Sequence, residues 1–344
     1  MCELLALSSQ LPTSVTLSLS TFAQHRGADD GWGVAFYDTG DVRLYKEPEL
    51  AAESEWLAFI QQRSLSASLF ISHIRHATRG VRSLPNTQPF SRELGGRVHL
   101  FAHNGRFDSI ERDYAGGWNR YRPIGETDSE IAFCILLERL APLWENGSVP
   151  ALAKRLAVFT QFAADMAAIG PANLLYSDGD ALFVHSHRRT QAGGRVAPPG
   201  LWRLSRQCEK CRDTAERDQG TSSAVDRRQQ EVTLFVSIPL SDEPWVPIAE
   251  GEVLAIRHGR LISAVLPGGF RLQDFLFEPL HLCLQFVDKA KAHFPLRLSA
   301  QFCPKRHRAP RAAAVHQPIP FHGKTTPRYS AFRGACLFPY IPLI

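Results

Sequence analysis

No run of this 344-residue chain approaches the roughly 20 uninterrupted apolar residues that a membrane-spanning helix needs. The N-terminus, Met1-Cys2-Glu3-Leu4-Leu5-Ala6-Leu7, has no basic segment ahead of its apolar residues, so no secretory signal is expected. Cysteines are few. There are seven, an odd number without disulfide-like spacing, which points to a reducing, cytoplasmic compartment. No internal repeat and no RNA- or DNA-binding motif is recognisable. What is present is ordinary for a soluble globular protein, with 44% apolar and 21% charged residues in a chain long enough to bury a substantial core.

Charge is unevenly placed. From Pro267 to Ile344 there are 11 Lys and Arg against 3 Asp and Glu, and 10 of the 23 prolines. These charges are dispersed among Pro, Phe and Leu, so residues 267–344 are expected to form a basic, Pro-rich, irregular extension rather than a nucleic-acid or membrane-binding surface. Residues 2–266 are expected to form the main domain. Within it, residues 190–230 are rich in Gly, Pro, Arg and Gln and read as a loop insertion.

Local patterns place strands at residues 2–9, 32–38, 42–46, 69–76 and 98–103, the last stopping at Asn104-Gly105. Helical spacing covers 50–62, 129–140 and 149–169. Thr127 can cap the second of these, with Glu130 reaching back as a capping box. Further strands are expected at 172–177, 181–185, 231–238 and 252–256. Strands, then helices, then strands suggest an α+β layered domain rather than a doubly wound parallel sheet.

Cysteine is small enough to suit removal of the initiating methionine, which would leave Cys2 with a thiol and a free α-amine on one residue. That amine titrates near pH 7.7–8.0 in model compounds and can accept the thiol's proton. An N-terminal nucleophile of this kind carries its own general base. Three further groups bear on the same chemistry. Arg75, in Ser72-His73-Ile74-Arg75-His76-Ala77-Thr78, is a cation at the end of a buried strand. It needs a partner, either an internal carboxylate or that of a substrate. Asn104-Gly105 is either a hairpin turn or a side-chain amide and a backbone N–H that together could hold an oxyanion. Asp128, in Gly125-Glu126-Thr127-Asp128, is placed to meet an ammonium at a helix start.

In this order, and with Asp30-Gly31-Trp32-Gly33, these elements resemble the glutaminase domain of class-II glutamine amidotransferases, which are N-terminal nucleophile hydrolases. The resemblance covers residues 2–264 and is greatest to stand-alone bacterial proteins without a synthase domain. It implies a four-layer αββα sandwich with Cys2 as nucleophile and Asn104 and Gly105 as oxyanion hole. It assigns substrate binding to Arg75, Thr78, His103 and Asp128, the arginine taking a glutamine α-carboxylate and the aspartate its α-ammonium. The implied reaction cleaves glutamine or another γ-glutamyl amide without a cofactor. The released ammonia could pass to a partner subunit, and a homo-oligomer is compatible with the sequence. His76 and Gln88 depart from the common family pattern, and both bear on substrate choice.

Other readings attach to the same residues. His73, His76 and His103 could suggest zinc, but His73 and His76 lie three apart on a strand and point to opposite faces. Cys208-Glu209-Lys210-Cys211, with distant Cys303 and His307, reads as a charged loop more than a metal site. His185 and His187 read as a polar pair at a strand end. A catalytically inactive protein that keeps this fold for binding or regulation is the alternative to an enzyme.

Overall fold

The computed structural model describes residues 2–15, 30–62, 65–77, 79–113, 120–210 and 228–266. In chain order, the strands are β1 (Glu3–Val15), β2 (Trp32–Asp38), β3 (Asp41–Glu47), β4 (Leu65–Ile74), β5 (Phe90–Leu94) and β6 (Arg97–Gly105). These are followed by β7 (Ala172–Ser177), β8 (Leu182–His185), β9 (Arg189–Thr190), β10 (Val196–Ala197), β11 (Trp202–Lys210) and β12 (Arg228–Val236). The last are β13 (Val246–Pro247), β14 (Val253–Arg257) and β15 (Arg260–Val265). The main helices are α1 (Glu55–Gln62), α2 (Asp128–Trp144) and α3 (Leu152–Ile169). No helix among the described residues is long and apolar enough to cross a membrane.

Two antiparallel sheets face each other. One has seven strands in the order β13-β11-β12-β1-β4-β2-β3, the other six in the order β15-β14-β8-β7-β6-β5. Leu4, Ala6, Ile71 and Phe235 of the first meet Leu100, Ala102, Leu175 and Leu254 of the second in a shared core. On the far side of the six-stranded sheet, Phe101, Tyr176 and Phe183 pack under Phe133, Leu137, Phe159 and Phe162 of α2 and α3. On the far side of the seven-stranded sheet, Leu5, Leu7, Val34 and Phe70 pack with Leu57 and Ile60 of α1. This is the αββα sandwich of the α+β class. Its inner strands are buried on both faces, which explains why Leu4–Leu7 and Leu69–Ile71 read as unbroken apolar runs rather than as alternating ones.

Several expectations shift. The helix expected at 50–62 is a 3-10 turn at Ala51–Glu53 followed by α1, because Ser54 interrupts it and caps the second piece through Leu57 N–H (2.9 Å). Thr127 does cap α2 by accepting from Glu130 N–H, but Glu130 reaches past the cap to Gly125 N–H (2.6 Å) and also pairs with Arg92. Asn104-Gly105 is not a turn. Both residues continue β6, opposite Asn173 and Ala172 of β7. Nor is 190–230 only a loop, since Trp202–Lys210 forms β11, paired along its length with β12. Cys208 lies in that strand opposite Gln230. Residues 211–227 and 267–344, with Cys211, Cys303 and His307, lie outside the described residues.

Candidate active site

β1 begins one residue after Cys2 and lies between β4 and β12. The register Glu3↔Ile74 brings Cys2 abreast of Arg75, where β4 ends. There the Cys2 Sγ accepts a hydrogen bond from His76 N–H (3.3 Å) and donates to the His76 carbonyl (3.4 Å). Both contacts use the backbone of residue 76, so they do not depend on which side chain stands there. Burial pushes the thiol up from its ordinary value, while the His76 N–H and, more weakly, the Arg75 guanidinium pull it back.

Arg75 is buried, and its guanidinium donates to carbonyl oxygens of Arg79 (2.9 Å), Gly80 (3.0 Å) and Asp30 (3.3 Å). Asp30 closes the arrangement from the other side. Its N–H donates to the Arg75 carbonyl (2.8 Å), and its carboxylate accepts from Ala77 N–H (2.7 Å). The Asp30-Gly31-Trp32-Gly33 segment is thereby tied to the loop that follows β4. Gly33 lies against the Gln88 carbonyl so tightly that an added Cβ would sit 2.1 Å from that oxygen. A side chain there would push the Gln88-Pro89 segment off β2.

Asn104 lies on the face of β6 that looks into the space between the sheets, like Ala102 two residues before it. Its Nδ2 donates to the Cys2 carbonyl and to Ser237 Oγ (3.3 Å), which itself accepts from Leu4 N–H (3.0 Å). The side-chain amide of Asn104 thus touches the backbone of Cys2. Gly105 follows it, and a Cβ there would fall 1.8 Å from the Pro171 carbonyl oxygen and 2.5 Å from His103 Nε2. No other residue fits.

Asp128 opens α2. Its Oδ2 accepts from Phe107 N–H (2.7 Å) and its Oδ1 from Ser129 N–H (3.0 Å), which fixes a buried carboxylate two residues beyond Gly105 in contact terms. The negative charge sits at the positive end of the helix. Gln88 carries hydrogen bonding past the end of β5, accepting from His103 N–H (2.6 Å).

Cys2 lies abreast of Arg75 and meets the Asn104 amide, Gly105 follows Asn104 in β6, and Asp128 is tied to Phe107 two residues further on. His103 does not join them. Its ring lies on the opposite face of β6 from Asn104, buried and stacked on Phe107 at 4.2 Å. Thr78 lies outside the described residues. Three contributors carried no motif: Ser237, Asn173 and the buried Arg189–Glu3 pair (2.8 Å) beside Cys2, while Asp30, quoted as part of Asp30-Gly31-Trp32-Gly33, acts through its carbonyl and carboxylate. Asn173 donates to the Asn104 carbonyl (2.9 Å) and holds the strand beneath it.

A family model described as "Glutamine amidotransferases class-II" matches residues 1–273. The "Putative glutamine amidotransferase YafJ" of Escherichia coli strain K12 is 33% identical over 259 residues, which is 73% of this chain and 96% of that protein. "Uncharacterized protein MJ1515" of Methanocaldococcus jannaschii is 33% identical over 269 residues, covering 76% of this chain and 71% of the other. Among solved structures, one described as a predicted glutamine amidotransferase from Pseudomonas aeruginosa PA01 aligns with a TM-score of 0.54 and 31% identity. That alignment covers 76% of this chain and 99% of that one.

Proposed function

This chain belongs to the class-II glutamine amidotransferases, and from that premise we propose that it cleaves a γ-glutamyl amide through a thioester on Cys2. Removal of Met1 frees the α-amine of Cys2, which takes the thiol proton. The thiolate attacks the δ-carbonyl of the substrate. Asn104 Nδ2 and the Gly105 N–H receive the charge on the carbonyl oxygen, and the α-ammonium returns its proton to the leaving nitrogen. Water, deprotonated by the same amine, then opens the thioester and releases the γ-carboxylate.

Arg75 and Asp128 clamp the α-carboxylate and α-ammonium, with Thr78 beside the arginine, and this supplies positioning. The observation that carries the reading is the charge of Arg75, which is buried beside Cys2 and held by backbone carbonyls. A substrate carboxylate is the bidentate partner such a group accepts best. Ammonia or an amine leaves, either free or toward a partner subunit. The setting is the cytoplasm, without a cofactor.

One observation favours the binding-only alternative. Asn104 Nδ2 already makes two hydrogen bonds, so it must release or share one to meet an oxyanion. Turnover decides between the two. The chain is to be assayed with L-glutamine and a panel of γ-glutamyl amides beside Cys2→Ala. Amide cleavage by the wild type and none by the variant is expected, and equal rates in the two would overturn the nucleophile.

A further inference from the structure

His103 Nε2 lies 3.0 Å from the Pro171 carbonyl oxygen, and its Nδ1 lies 2.9 Å from Ser129 Oγ. A carbonyl only accepts, so Nε2 must carry the proton. In a neutral ring Nδ1 is then the acceptor, and the Ser129 hydroxyl donates to it. Burial lowers the pKa of this imidazole and keeps it neutral. The tautomer is therefore fixed by its neighbours.

Each neighbour leads to the site. Ser129 and Phe107 are the two residues whose N–H groups hold the Asp128 carboxylate. His103 grips both of them, Ser129 through Nδ1 and Phe107 through parallel ring stacking (interplanar angle 2°). Its Nε2–H holds the Pro171 carbonyl, the same oxygen that packs directly on Gly105. From the hidden face of β6, one ring thus touches the supports of the ammonium site and of the oxyanion hole.

We propose that His103 is a positioning residue that sets Asp128 through Ser129 and sets Gly105 through Pro171, by two separable bonds. This rests on the roles of Asp128 and Gly105 given above. Separability makes it testable, because two amide side chains can each keep one bond. In His103→Asn, the amide oxygen can stand near the Nδ1 position and accept from Ser129, but the side chain is too short to reach Pro171. In His103→Gln, the amide nitrogen can reach Pro171, but nothing is left to accept from Ser129.

The experiment uses the full chain, steady-state kinetics with L-glutamine, and amide 1H–15N spectra of each variant. His103→Gln and Ser129→Ala are expected to raise KM about tenfold with kcat nearly unchanged. His103→Asn is expected to lower kcat by about tenfold to a hundredfold with KM nearly unchanged, the scale of a small misplacement of reacting groups. Equal effects of both His103 variants on kcat and KM would overturn the two-bond division. If the wild type neither binds nor cleaves glutamine, the functional reading fails instead, and the Phe107 amide resonance decides the positioning role. Its displacement in Ser129→Ala, which keeps the His103 ring stacked on Phe107, supports the role. An unmoved resonance in Ser129→Ala refutes it.

Discussion

Two of the buried arginines among the described residues, Arg155 and Arg75, are treated in opposite ways. Arg155, on α3, has no exposed side-chain surface and meets Asp178 at 2.5 Å and Asp180 at 2.6 Å. Asp180 also holds Arg257, and Asp178 is steadied by the N–H groups of Asp180 and Ala181 (3.0 Å each). Arg75, at the end of β4, is given the carbonyls of Asp30, Arg79 and Gly80. The titration directions separate them. Burial pulls on both guanidiniums, but Asp178 and Asp180 more than offset it at Arg155, which rises, whereas Arg75 falls despite Cys2 and Asp30 nearby. A buried cation matched by carboxylates is a structural tie. One held by dipoles keeps its charge available to an anion that arrives later.

The largest effect on stability should come from the tie. Arg155→Met would strand Asp178, whose side chain has no exposed surface, and should cost about 3–5 kcal/mol in urea unfolding. Arg75→Met should separate activity from stability. It is expected to cost only about 1–2 kcal/mol in unfolding, for carbonyls that lose a donor. Its kcat/KM for glutamine should fall by about a hundredfold or more, equivalent to roughly 3 kcal/mol of transition-state binding. Were Arg75→Met as destabilising as Arg155→Met and still fully active per folded molecule, the contrast between the two arginines would collapse.

Acid provides an effect that both arginines should leave alone, because they stay charged throughout. Burial holds His99 and His185 down at about 4, against 6.5 for an ordinary histidine. Between these values the unfolded chain takes up protons that the folded one refuses. Stability is therefore complete above pH 6.5 and falls as the pH drops toward about 4. Urea midpoints across that window should show the decline with the same slope in Arg75→Met. A flat profile would mean that these rings are charged in the folded protein. Smallest of all is the exposed pair Arg43–Asp38, at 60% and 40% side-chain exposure. Arg43→Ala should leave the midpoint unchanged within error.

Much of this arrangement was legible in the sequence because its signals are local. The strands expected at 32–38 and 42–46 are β2 and β3, and Thr127 with Glu130 marks the start of α2. The misreadings come where a distant partner overrides a local preference. Asn104-Gly105 has the strongest of hairpin dipeptides, yet Asn173, 69 residues on, pairs with it and pulls it into a strand. The polar composition around residues 202–210 suggested a loop, while β12 supplied the edge that made it a strand. β5 went unnoticed, a short run between Pro89 and Gly95 that β6 recruits.

The site shows the same division. Cys2, Arg75, Asn104, Gly105 and Asp128 stand out by motif. Ser237, Asn173 and Ser129 do not, since a lone Ser or Asn gains a role only from what folding brings beside it. His103 was legible as a member of the motif, but not its side of the strand. One register step separates it from Asn104 and turns its ring to the helix layer.

The proposed role of Cys2 is open to a direct test by the intact mass of the full chain, measured before and after incubation with an electrophilic glutamine analogue. Loss of Met1, a single covalent adduct mapping to Cys2, and protection by excess L-glutamine are the expected result. Retention of Met1 with no adduct would contradict Cys2 as the residue that attacks.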